Sequence, residues 1–175
     1  MILICYDGSE DAKAAIEHAA ELLGDEPATV LTVWQPFIEI LAHSPSGFGI
    51  TPALLDSEGL DEESRNNAQK SADEGADLAS RAGLNAKSRI CCQGTTIAAT
   101  ILEEAEAVGA SAIVMGSRGL TGLKSLLLGS VSHAVIQHAD RAVIVVPSPE
   151  VAASRARARH ARDKAGSSNQ TQRGR

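Results

Sequence analysis

No run of apolar residues in this chain approaches the roughly eighteen that a membrane-spanning helix needs. The apolar start of "MILICYDGSED" is too short, and turns acidic too soon, for a signal peptide. A cytoplasmic protein with no membrane partner is expected. Cysteine is scarce as well: three residues, with Cys91 and Cys92 adjacent, make a poor disulfide framework. Neighbours on a strand point to opposite faces, so that pair is badly placed to chelate one metal ion, and all three read as small buried hydrophobes. Positive charge is short over most of the length. Residues 1–149 hold nine Lys and Arg against twenty Asp and Glu, whereas residues 150–175 hold seven against two. So acidic a body argues against nucleic acid as the partner, because phosphate backbones bind clustered Lys and Arg. Aromatic residues number only four: Tyr6, Trp34, Phe37 and Phe48.

What is present is enough for one buried core, since 175 residues at 43% hydrophobic content fit a single domain. "MILICY" predicts a strand, and in the "DGSED" that follows, Ser9 can cap a helix whose positive end suits Glu10 and Asp11. Ala12, Ala15, Ile16, Ala19, Leu22 and Leu23 recur at helical spacing until Gly24. "TVLTVW" predicts a second strand. Residues 35–60, with three prolines and two phenylalanines, read as a long loop or insertion. From about Asp61 a polar helix with a thin alanine and leucine face runs to Gly83. "NAKSRICCQG", "SAIVMG" and "RAVIVVP" predict three more strands, with "TTIAATILEEAEAVG" a helix between the first two. The acidic run "LDEES" is a helix start favoured by the macrodipole, and the histidines lack metal-ligand spacing.

Nearly all-apolar strands alternating with helices predict a doubly wound α/β fold: a five-stranded parallel sheet of order 3-2-1-4-5 with helices on both faces. In such sheets ligands sit beyond the C-terminal strand ends where the order reverses, here between the first and fourth strands. The loops leaving those strands are "YDGS" and "GSRGLTGLKSLLLGS". The first has one glycine, so the dinucleotide fingerprint fails, and in the second Leu123 separates Gly122 from Lys124, so the Walker spelling fails too. What remains is Gly116, Gly119, nine residues, then Gly129 and Ser130 at the head of a helix. Glycines let backbone N–H groups approach phosphate oxygens, and a helix N-terminus adds about half a positive charge. Ser130 and Ser132 supply hydroxyls, and Arg118 and Lys124 are the only Lys or Arg residues between 90 and 140. Each glycine taken alone would also fit a tight turn or close helix packing. Three of them with a hydroxyl, at a strand end and opening a helix, point to an anion cradle.

That spacing resembles the universal stress protein family in its ATP-binding subgroup, which carries G, two residues, G, nine residues, then G and Ser or Thr. Gly116, Gly119, Gly129 and Ser130 fit it without a gap, and the likeness spans about residues 1–148. "YDGSE" resembles the family's first-strand motif, "VLTVW" its second strand and "AVIVVP" its last. The resemblance implies that Asp7 reaches the nucleotide with Cys5 and Tyr6 as backbone neighbours, that Val33 offers backbone groups to adenine, and that Met115 lines the nucleotide. Arg118 stands at an often basic position, and Val131 and Ser132 complete the phosphate end. It further implies ATP with Mg²⁺ and pairing into a homodimer through the fifth strand. Tyr6, where a smaller residue is usual, and Ala142, where proline is frequent, depart from the pattern.

The function expected is an ATP-binding regulatory or stress-response module whose nucleotide state alters its surface for a protein partner. A slow ATP hydrolase and a nucleotide-free dimeric scaffold are the alternatives. Asp7 could instead cap the first helix, but Ser9 is better placed, which leaves Asp7 to hold Mg²⁺ together with phosphate oxygens. The insertion at 35–60 is expected either to fold over the adenosine as a lid, with one aromatic ring near the base, or to anchor itself or a second subunit. The tail at 150–175 is expected to be disordered.

Overall fold

A computed structural model describes residues 1–37, 39, 57–119, 128–157 and 159. Five parallel strands alternate with helices: β1 (Ile2–Cys5), α1 (Glu10–Leu23), β2 (Ala28–Trp34), α2 (Ser57–Arg81), β3 (Ala86–Cys92), α3 (Ile97–Ala107), β4 (Ala112–Gly116), α4 (Ser130–His138) and β5 (Ala142–Val146). The sheet order is β3-β2-β1-β4-β5, as the sequence predicts. β1 is central, with Ile2 level with both Ala28 and Ala112, so the reversal of order falls between β1 and β4.

The central strands β1, β2 and β4 are largely buried on both faces because each face has its own helical cover, whereas edge strand β3 alternates half-buried and exposed positions, Lys87 and Arg89 among the exposed ones. Ile2, Ile4, Val30 and Val114 pack with Ala12, Ala15, Ile16 and Ala19 of α1 and with Ala79 of α2. Leu3, Leu31, Ile113 and Met115 pack on the opposite side with Ala98, Ile101 and Ala105 of α3 and Val135 of α4. Alternate residues of one strand feed the two cores, as a period of two requires. The first helix departs from its predicted face at one place: Leu22 is 64% exposed. α2 begins four residues before the predicted Asp61, at Ser57.

Tyr6 shows how one bulky side chain is accommodated. Its ring is 2% exposed and fills the α2 side of the sheet, where its hydroxyl donates to Glu74 Oε1 at 3.0 Å. The opposing residue is Gly75, in the middle of α2, where an added Cβ would lie 2.8 Å from the Tyr6 ring and 2.9 Å from Val30. Helical glycine costs about 1 kcal/mol relative to alanine. Here the space it leaves is filled by the ring.

Residues 149–157 are helical, which takes in the start of the 150–175 segment expected to be disordered. Alanines at 152, 153 and 156 favour helix, and the Ala152 N–H donates to the Ser148 carbonyl at 2.9 Å. Among the described residues no helix is long and apolar enough to cross a membrane. The remainder of the tail, Lys124, Phe48 and most of the 35–60 insertion lie outside the described residues.

Candidate functional site

The ends of β1, β2 and β4 and the start of α4 surround a cavity of about 210 Å³. All twelve residues singled out in the sequence line it: Cys5 at the end of β1 with Tyr6 and Asp7 after it, Val33 on β2, Met115 and Gly116 at the end of β4 with Arg118 and Gly119 after it, and Gly129, Ser130, Val131 and Ser132 at the start of α4. Leu31, Ile97, Ile101 and Ala12 also line it and were not anticipated. Only the run of apolar positions at the head of "TTIAATILEEAEAVG" could have signalled Ile97 and Ile101, and it does not say which side of the sheet α3 covers.

The cavity has two chemically different ends. Its floor is apolar, with Leu31, Ile101 and Met115 buried and Cys5, Val33 and Ile97 packed beside them. Burial, followed by the negative charge of Asp7, pushes the Cys5 thiol up to about 12, so it stays protonated at neutral pH. The Tyr6 ring packs in the opposite core; the residue reaches the cavity edge after β1, where its carbonyl accepts from Thr32 Oγ1 at 2.8 Å.

The other end is polar. Asp7 accepts the Ser9 N–H at 3.0 Å, and Gly8 between them has φ +83°, a conformation that favours glycine. Ser9 is the N-cap of α1, accepting from the Ala12 N–H at 3.2 Å, so the cap falls to Ser9 and not to Asp7. α3 is likewise capped, by Thr96. α4 differs: its N-cap is Gly129, and no side chain among the described residues caps it. The first intrahelical bond runs from the His133 N–H to the Gly129 carbonyl, which leaves the amides of Ser130, Val131 and Ser132 ahead of the helical ladder at the cavity edge. Ser130 is exposed, whereas the Ser132 hydroxyl is buried, 3.0 Å from the Ser117 carbonyl and 3.1 Å from that of Gly129. Ser132 therefore ties α4 to the turn after β4.

The three glycines meet different demands. A Cβ on Gly116 would lie 2.8 Å from the Asp11 carbonyl carbon and 2.9 Å from the Ala12 nitrogen, so this glycine lets α1 lie against β4. One on Gly119 would meet the Asp7 carboxylate at 2.7 Å. One on Gly129 would come no nearer than 3.4 Å to any of the described residues, and its φ of −71° suits any residue. Among the described residues, nothing in the folded chain demands glycine there.

Asp11, read from the sequence only as a helix-start charge, is 4% exposed. Burial raises its carboxyl, but hydrogen bonds from Ser117 and Ser148 and the charge of Arg118 outweigh that and hold it below the usual aspartate range. Arg118 Nε lies 3.6 Å from Asp11 Oδ2 and is buried without a hydrogen-bond partner among the described residues.

The sheet order, the cavity at its reversal and the uncapped helix beside it define a doubly wound α/β domain with its site at the topological switch point. The chain belongs to the universal stress protein family, whose model matches residues 1–147. Universal stress protein YxiE of Bacillus subtilis is 32% identical over 147 residues, covering 83% of this chain and 97% of that one. The solved structure of protein MJ0577 of Methanocaldococcus jannaschii is similar at a TM-score of 0.67 and 28% identity, covering 83% of this chain and 94% of that one. The universal stress protein from Archaeoglobus fulgidus, solved in complex with dAMP, shares the fold at a TM-score of 0.55 and 22% identity, over 83% of this chain and 95% of that one.

Proposed function

We propose that the chain binds ATP with Mg²⁺ in this cavity and acts as a regulatory module of the stress response, by binding and not by turnover. The observation that carries this is the N-terminus of α4: Gly129 brings no side chain to the cap, and Ser130, Val131 and Ser132, whose amides precede the helical ladder, line the polar end of a cavity whose floor is apolar. Amides and helix dipole suit phosphate oxygens, and the floor of Leu31, Val33, Ile101 and Met115 suits a purine. The dAMP held by the Archaeoglobus protein is in keeping with that chemistry.

The donor set fits a metal held through the nucleotide. Among the described residues no three His, Cys, Asp or Glu side chains gather to hold an ion unaided. The exposed Asp7 carboxylate beside Gly119 would share Mg²⁺ with phosphate oxygens and water. Asp7 is also the sole acidic residue among the described residues lining the cavity, so a metal role leaves no second carboxylate to activate water; this favours binding over hydrolysis. β5, at the sheet edge, is the strand proposed to pair in a homodimer, and the nucleotide-dependent surface would meet a protein partner.

Equilibrium dialysis with ATP and Mg²⁺ tests the reading. Saturable retention of one ATP per chain, with no phosphate released over a long incubation, is expected. Absence of retention at millimolar ATP would overturn it, and steady phosphate release would replace binding by slow hydrolysis.

A further inference from the structure

One buried carboxylate joins two parts of the molecule that the sequence separates widely. Asp11 Oδ2 accepts the Ser117 hydroxyl at 2.7 Å, and the hydroxyl and backbone N–H of Ser148 reach the same carboxylate. Ser117 and Arg118 belong to the turn that walls the cavity, while Ser148 precedes the C-terminal helix and accepts its Ala152 N–H. The backbone around them is tightly packed: Gly116 lies against α1 at Asp11, and the Ser117 N–H donates to the Val146 carbonyl at 2.7 Å. Asp11 therefore has little freedom to follow one neighbour without affecting the other.

We propose that Asp11 is a positioning residue for the cavity, acting through Ser117 and Arg118, and that anion binding there is linked through it to docking of the C-terminal helix at Ser148. This rests on the nucleotide reading above. At 3.6 Å the Arg118 Nε is held to Asp11 by charge and not by a hydrogen bond, so phosphate oxygens in the cavity compete for the guanidinium. As Arg118 turns to them, the buried carboxylate relies more on its remaining donors, because an undercompensated buried charge is costly. Two of those donors come from Ser148. Nucleotide thus tightens the start of the C-terminal helix, and by reciprocity a docked helix strengthens nucleotide binding by the same factor.

Hydrogen exchange on the full chain, with and without saturating Mg-ATP, reads this at the Ala152 amide, with ATP binding measured on the same samples. Exchange there is expected to slow by about fivefold or more, the lower end of typical coupling between sites. The response should vanish in Asp11→Asn. Ser148→Ala, outside the cavity lining, removes one of the two Ser148 donors, so it should weaken ATP binding measurably and by no more than that factor, and it takes the place of Asp11→Asn should that variant not fold. ATP bound with unchanged exchange at Ala152 overturns the linkage and leaves the nucleotide reading intact. No ATP binding by the unaltered chain overturns the nucleotide reading, and the linkage with it.

Discussion

Replacing Gly116 and Gly129 by alanine, one at a time, should separate fold from ligand within a single loop. At Gly116 the new methyl group meets main-chain atoms of α1 at 2.8 and 2.9 Å, so a helix must shift. Overpacking of this kind costs about 1–3 kcal/mol. For a domain of this size a loss of about 2 kcal/mol lowers Tm by roughly 4–8 °C. At Gly129 the methyl group finds only ordinary contacts among the described residues, at 3.4 Å from Arg118 Cα and the Ser117 carbonyl oxygen. Alanine caps a helix less well than glycine, but it also restrains the unfolded chain by about 0.4–1 kcal/mol, and the two effects nearly cancel. The methyl group does stand beside the amides proposed to receive phosphate. Loss of one charge-assisted hydrogen bond, about 1.5 kcal/mol, weakens ATP by roughly tenfold. Thermal melts and dialysis on the two variants check both sides. A Gly129→Ala protein that melts like Gly116→Ala, or that binds ATP undiminished, would refute the assignment of these glycines.

Two further expectations concern titratable groups. Asp11 has its carboxyl lowered in the fold, so its contribution to stability is fully present above the ordinary aspartate value of about 4 and is lost as pH falls through the lower folded value. Asp11→Asn should cost on the order of 3 kcal/mol at pH 7, with the difference from the unaltered chain shrinking in acid; urea titrations between about pH 7 and 3 measure it, and a pH-independent difference would contradict the charge argument. With its thiol pushed up to about 12 and half-buried on the cavity floor, Cys5 should be alkylated at pH 8 more slowly than the exposed Cys92; mass mapping of iodoacetamide adducts decides, and labelling of Cys5 as fast as Cys92 would contradict its packing.

The architecture was legible because its signals are local. Apolar runs, the cap residue Ser9 and the Gly116-Gly119-Gly129-Ser130 spacing each act over a few residues, and together they locate the cavity lining. What each residue does there was not legible. Gly116 is spaced as a phosphate-loop glycine and packs against a helix; Ser132 is spaced as a hydroxyl donor and binds a carbonyl of its own chain. Asp11 was read as a helix-start charge because its partners, Ser117 and Ser148, lie more than 100 residues away along the chain. Residue type and spacing tell where a group stands along its own element. The neighbour across the fold that engages it depends on tertiary packing, which one-dimensional periodicity does not encode.

Tyr6 and Gly75 behave as a lock and its keyway, and this constrains how the sequence can drift. A side chain at 75 collides with the ring already in place, and a small residue at 6 leaves a void against the sheet. A lineage passing from this pair to a smaller residue at 6 with a larger one at 75 is expected to trim the ring first, since a void can partly collapse whereas a clash beneath a central strand displaces a whole helix. The strand end that carries Tyr6 also edges the cavity, so loosening the keyway would be felt at the ligand site before the fold itself gave way.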